Sequence, residues 1–187
     1  MRLSWRKVWP AIAIVAAVQT AVLGWMIGER VALLKSGREI VLPIVPVDPR
    51  SLFRGDYVRL TYEVTRVPGR LLEGEVGAGE PLYVTIERQP EGGYAPVAVS
   101  REHPGLAGAD QAVLQGRLAF GRRQGGQDLM LRYGIESYFV PEGSGLELEK
   151  MARDQKLAAI IAVDPNGKSA IKGLMVDGRL VYEEPLF

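Results

Sequence analysis

The chain has 187 residues, with 23 basic and 22 acidic side chains, one histidine and no cysteine, a length that predicts one domain plus an appendage. The lack of cysteine excludes disulfides, zinc–thiolate centres and cysteine nucleophiles. Residues 1–30 hold four basic groups against one acidic, so the remaining 157 carry 19 basic and 21 acidic groups; that mildly acidic body lacks the clustered Lys and Arg of a nucleic-acid binder.

After MRLSWRK comes VWPAIAIVAAVQTAVLGWMI, 20 uncharged residues from Val8 to Ile27. A helix needs about that many apolar residues to cross a hydrocarbon core. Trp5 and Trp9 at one end and Trp25 at the other suit the two interfaces. Pro10 falls in the first turn, where its missing N–H costs little. A cleaved signal peptide has a shorter apolar core of about 7–15 residues and a small-residue cleavage site. Neither feature is present, so an uncleaved anchor is expected. Arg2, Arg6 and Lys7 precede the span, and Arg30, Lys35 and Arg38 follow it. The positive-inside count is nearly tied, and the amino-terminal charges tip it towards a cytoplasmic N-terminus. The expected location is the bacterial inner or plasma membrane, crossed once, with the body periplasmic or extracellular. Residues 1–36 form tail and anchor, and residues 37–187 form one β-rich domain.

In the body, Glu29 to Gly37 continues the helix and stops it at Ser36-Gly37. REIVLPIVPV reads as an edge-type extended segment, because Pro43 and Pro46 each lack a ladder donor. In DPRSLFRGD, Asp48 caps, Pro49 suits the first helical position and Gly55 suits a left-handed exit, which fits a helix of one to two turns. A strand follows over Tyr57–Val64, with Val58, Leu60, Tyr62 and Val64 on the apolar face and Tyr57, Arg59, Thr61 and Glu63 on a partly wet one. LYVTIERQPEGGYAPVAVSRE is the clearest hairpin, turning through residues 89–93. QAVLQGRLAFG and DLMLRYGIESYFV form a second strand pair around RRQGGQ. PEGSGLELEKMARDQ is a short helix starting near Ser144. LAAIIAVDPNG, KSAIKGLMVDG and RLVYEE close a meander with Asn-Gly and Asp-Gly turns. The fold class is mainly β with a minor α component: an N-terminal transmembrane helix, then a single barrel- or sandwich-like domain carrying one short helix.

Catalytic constellations are weak. His103, in REHPG, has no positioning partner in the sequence. Gly143-Ser144-Gly145 fails as a nucleophile elbow because Glu142 stands where G-x-S-x-G needs glycine. A Ser–Lys dyad would pair Ser36 with Lys168 or Lys172 and needs a desolvated lysine. Asp56, Glu142, Glu147 and Glu149 could converge as acid–base groups or hard-cation ligands. Negative charge at the start of the predicted helix already accounts for three of them. Neither a catalytic residue nor a metal or other cofactor is assigned.

GDYVRLTY carries a stronger signal. Gly55, Asp56, Tyr57, Leu60 and Tyr62 match the string that gives the bacterial GDYXXLXY family its name. VDPRSLFRGDY before it, YGIESYFVPEGSGLELE over Tyr133–Glu149 and AVDPNGKSAIKGLMVDG near the C-terminus resemble further blocks of that family. The resemblance implies a single-span membrane-anchored protein, with a multi-span membrane protein as a possible partner, and it carries over no catalytic residue. The expected function is therefore an interaction or accessory module docking with a membrane-protein partner. The alternative is an envelope enzyme, either a carboxylate-based hydrolase or a Ser–Lys peptidase-like protein. Candidate binding residues are Arg50, Arg54, Gly55, Asp56, Tyr57, Arg59 and Tyr62 around the motif, with Glu142 from the second block. Oligomeric state is not encoded legibly.

Overall fold

The computed structural model describes residues 5–45, 57–105, 107–121, 126–139, 151, 154 and 156–184. Helix α1 spans Trp5–Ser36. Its Trp9–Lys35 stretch is long and apolar enough to cross a membrane, and residues 9–30 of it are exposed rather than packed against the protein. Pro10 lies inside the helix rather than in its first turn. That placement leaves one i→i−4 bond unmade near the helix start, where the loss is least disruptive.

Eleven strands are described: β1 Arg38–Pro43, β2 Tyr57–Arg59, β3 Arg66–Val67, β4 Pro81–Arg88, β5 Tyr94–Ser100, β6 Gln111–Leu118, β7 Leu129–Arg132, β8 Ser137–Phe139, β9 Leu157–Val163, β10 Ser169–Val176 and β11 Arg179–Glu183. They form a four-stranded sheet β1-β9-β10-β11, a five-stranded sheet β3-β7-β6-β4-β5 and a β2-β8 ribbon. Both larger sheets contribute to one apolar cluster. Ile40, Leu42, Leu157 and Ile161 come from the first, and Leu82, Val84, Ile86 and Leu114 from the second. This is the sandwich of the two architectures expected, with alternate residues of each inner face turned into the core.

The chain order follows from local signals. The β4–β5 hairpin turns through Gly92 and Gly93, both with positive φ. Asp177 and Gly178, also at positive φ, join β10 to β11, as a two-residue hairpin of matching twist requires. β1 sits at a sheet edge, paired only with β9, a position that tolerates the missing donor of Pro43, and the Ile44 N–H then donates to the Leu157 carbonyl at 3.0 Å. The short helix expected from Ser144 or Gly145 lies outside the described residues, except for Met151 and Asp154.

Two expectations are corrected. Tyr57–Val64 is not one strand: β2 ends at Arg59, and Glu63–Thr65 form a 3-10 turn. The Tyr62 carbonyl accepts both the Thr65 N–H at 3.1 Å and the Thr65 hydroxyl at 2.6 Å. Those two bonds wind the chain out of the ladder. The predicted alternation persists regardless, with Leu60, Tyr62 and Val64 buried and Arg59 and Glu63 exposed. The second correction concerns β8, which does not extend the β6–β7 pair but crosses to β2.

The helix joins the sheet without a linker. Gly37 donates to the Leu33 carbonyl at 2.9 Å, and β1 begins at the next residue. A Cβ on Gly37 would stand 2.6 Å from that carbonyl oxygen and 3.1 Å from Ala162 Cβ, so close approach explains the glycine. Leu34 is buried, the end of α1 contacts β9 and β10, and Glu29 pairs with Lys168.

Ile161 occupies the middle of the four-stranded sheet, opposite Ile40 and Ile171 and fully buried. Ile161→Ala is expected to destabilise the domain by about 2–5 kcal/mol, the cost of an unfilled core cavity. Denaturant unfolding of the detergent-solubilised chain measures it.

Candidate functional site

The described part of the GDYVRLTY segment, residues 57–62, forms the seam between the two sheets. On one side, Ile44 bridges to Tyr62 and Val45 donates to the Thr61 carbonyl at 2.8 Å. Across the other, β2 pairs antiparallel with β8, and the Leu60 N–H reaches the Glu136 carbonyl at 2.9 Å. The segment thus carries the edge of one sheet to the chain that leaves the other.

Two buried tyrosines lock this seam reciprocally. The Tyr62 hydroxyl donates to the Ile135 carbonyl at 2.9 Å, and the Tyr133 hydroxyl donates to the Val64 carbonyl at 2.7 Å. Each phenol satisfies a buried backbone acceptor on the opposite segment. Gly116 on β6 makes room for one of them, since a Cβ there would lie 2.9 Å from Tyr133 Cε1. The Glu136 carboxylate closes the intervening turn by accepting the Tyr133 N–H at 2.6 Å and the Gly134 N–H at 3.1 Å. Burial first, and then the Glu136 charge, push both Tyr62 and Tyr133 well above the ordinary phenol range. Tyr138 is pushed up to about 12 by burial, with Glu184 and Glu183 adding to it.

Outside this seam runs a chain of hollows. One of about 850 Å³ opens between the end of α1 and the β6–β7 end of the five-stranded sheet. It shares Ala119, Arg132 and Glu136 with a hollow of about 220 Å³ bordered by Arg59, Phe120 and Met130. That second hollow shares Thr61, Thr65 and Met130 with a third of about 540 Å³ beside Tyr62. Phe120 is 65% and Met130 43% exposed, and the Arg132 guanidinium lies over the Phe120 ring at 5.2 Å.

Two ordered blocks of the sequence, the GDYXXLXY string and YGIESYF, are therefore bound face to face through their own tyrosines, and the match to the GDYXXLXY protein family runs over residues 19–174. The chain belongs to this family. Neither the curated proteins nor the solved structures give a match. Of the family string, Leu60 and Tyr62 are core residues, and Tyr62 in addition holds the seam. Tyr57 pairs with Phe139 in the ribbon backbone. Gly55 and Asp56 lie outside the described residues, as do Arg50, Arg54 and Glu142.

Of the candidate binding residues, Arg59 is exposed on the rim of the 220 Å³ hollow, whereas Tyr62 is buried. Sequence reasoning missed Tyr133, Glu136, Phe120, Met130 and Arg132. Exposed aromatics in strand connections carry no periodic signal, although the recurring tyrosines of the second block were visible.

The groups proposed for chemistry are placed as follows. His103 accepts the Gly105 N–H at 3.1 Å and stands edge-on to Tyr83 at 5.2 Å; both contacts are local. Lys168 pairs with Glu29, and Lys172 donates to Glu39 at 2.5 Å. Hydrogen bonding to those carboxylates raises both lysine pKa values, the opposite of what a serine-activating lysine needs. Asp56, Glu142, Glu147 and Glu149 lie outside the described residues. No group of three or more metal-ligating side chains occurs among the described ones.

Tyr62→Phe leaves the Ile135 carbonyl buried without its donor and is expected to cost about 1–3 kcal/mol in denaturant unfolding. Tyr133→Phe acts in the same way on Val64. The two losses should be non-additive, because both variants loosen one seam.

The pH dependence has a definite sign. A phenol whose pKa is raised on folding contributes stability that is complete below the unfolded value near 10 and lost as pH rises through the folded value. Thermal unfolding midpoints are therefore expected to fall progressively above about pH 10. The Tyr62→Phe/Tyr133→Phe double variant should show a shallower decline from a lower starting midpoint.

Proposed function

We propose that this protein is a membrane-anchored interaction module whose docking face is the motif side of the sandwich and whose partner is an integral membrane protein. The observation that carries this reading is the exposed cluster of Phe120, Met130 and Arg132 beside Arg59, directly outside the tyrosine seam. Soluble surfaces carry scattered apolar residues, but aromatic, methionine and arginine side chains grouped around a hollow have the composition of interface centres. Phe139, 77% exposed at the end of the ribbon, adds a further aromatic contact.

The anchor reading is supported by α1. Its apolar side chains from Trp9 to Ile27 are exposed on all sides of the helix, including Trp25 at 77%. A helix hydrophobic all round is suited to lipid. Burial within the protein begins only at Val31, which supports a reading with the sheets just beyond the interface. The expected topology remains a cytoplasmic N-terminus with the sandwich outside.

A photo-crosslinking residue placed at Phe120 or Phe139 in native membranes is expected to give one discrete adduct with an integral membrane protein. The same residue at Glu91, on the exposed β4–β5 turn, should give none. Equal labelling at all three positions, or none at Phe120 and Phe139, would overturn the docking face.

A further inference from the structure

The 850 Å³ groove at the end of α1 combines three features not used above. Its helix wall presents Met26, Arg30 and Leu33, and its sheet wall presents Arg117, Arg132 and Leu118. The volume falls in the range of small-molecule sites, ~300–1,000 Å³.

Its charges are unbalanced towards positive. The lining carries Arg30, Arg117, Arg132 and Lys168 against Glu29 and Glu136, a surplus of two positive charges; Glu29 is paired with Lys168, and Glu136 keeps its charge while accepting two backbone N–H groups. Arg117 donates to the Gly79 carbonyl at 2.8 Å, which fixes its side chain without neutralising it. Arg132 rests on Phe120. Arg30, Arg117 and Arg132 form no ion pair with any of the described residues. Three arginines thus line one opening, and planar guanidinium is well suited to bidentate phosphate contacts.

Position specifies the source of that phosphate. Arg30 follows the last apolar residue of the uncharged run, Ile27, by three positions, or about 4.5 Å along a helix. That is headgroup depth for a helix whose apolar run ends at the hydrocarbon boundary. Met26, 60% exposed and one turn before Arg30, offers an apolar surface on the bilayer side. The groove is therefore basic where a headgroup would sit and apolar where an acyl chain would leave it. A free soluble anion would make no use of that second half.

We infer that this groove binds an anionic phospholipid, with its headgroup phosphate held by Arg30, Arg117 and Arg132 and its acyl chain leaving towards the bilayer past Met26. The inference rests on the membrane-anchor reading. A bound lipid would fix the rotation of the sandwich against the membrane.

The test uses the full chain carrying Trp5→Phe and Trp9→Phe. Trp25, the third of three tryptophans and next to Met26, is then the sole indole reporter. The protein is reconstituted into phosphatidylcholine vesicles containing increasing fractions of brominated phosphatidylglycerol or, separately, brominated phosphatidylcholine. Quenching of Trp25 is expected to favour phosphatidylglycerol roughly fivefold, the selectivity of about one basic contact at an anionic surface. Arg30→Gln, which breaks no contact among the described residues, should reduce that preference, and the Arg30/Arg117/Arg132→Gln triple variant should abolish it. Arg88→Gln, on β4 away from the groove, should leave it intact. Equal quenching by the two lipids, or a preference that survives in the triple variant or is lost in Arg88→Gln, would overturn the site. Carbonate extraction of the same vesicles separates the two readings. Protein that resists extraction but shows no lipid preference keeps the anchor and loses the site, whereas extractable protein loses both. An unchanged unfolding midpoint in the variants shows that the fold is kept.

Discussion

The reciprocal hydrogen bonds of Tyr62 and Tyr133 are the constraint on which the architecture turns. A sandwich of two sheets needs its layers held in register, and apolar packing alone is non-directional. Here the direction comes from two phenols, each reaching across to a carbonyl of the other's segment. Because those carbonyls are buried, breaking either bond leaves an unsatisfied acceptor rather than a solvated one. Further connections follow from the same seam: β2 can pair with β8 only while residues 133–136 are held beside Leu60, and Glu136 reinforces that placement from within the turn.

The family string is thereby divided by physical role. Leu60 and Tyr62 are accounted for by burial and by the seam, so their presence needs no ligand. Arg59, immediately before Leu60 in sequence and turned outward, is the described member of the candidate set that contributes to a surface. The interest of the motif side thus shifts from the string itself to what lies beside it, namely Phe120 just past the end of β6 and Met130 and Arg132 on β7.

Much of the fold was legible because it rests on local rules. The β4–β5 hairpin and the closing meander were marked by β-branched runs and by Gly92-Gly93 and Asp177-Gly178 turns. Proline marked β1 as an edge strand. The alternation through Leu60, Tyr62 and Val64 gave the correct burial even where the strand assignment failed. What could not be read was non-local. The partnership of β2 with β8 spans some 80 positions in sequence, and nothing in either three-residue strand encodes it. The 3-10 turn at Glu63–Thr65 depends on one threonine hydroxyl capturing the carbonyl three residues earlier. The candidate surface was missed for the same reason, because Phe120, Met130 and Arg132 become neighbours only after β6 and β7 pair. The charged groove was hidden too, since Arg30 is counted with the anchor in sequence but forms a wall of the domain in space.

Gly37 gives the molecule a mechanical character. Single-span proteins often separate anchor and domain by a flexible tether, which lets the domain sample many orientations. Here a single residue separates helix from strand, Leu34 is buried against the sheet, and Glu29 is paired to Lys168 one turn earlier. The span and the sandwich therefore move as one body. On the anchor reading, a rotation of α1 about its own axis within the bilayer carries the exposed aromatic face through the same angle. The helix then acts as a shaft rather than a leash: whatever sets its azimuth among neighbouring spans also determines which direction along the membrane plane the docking face looks.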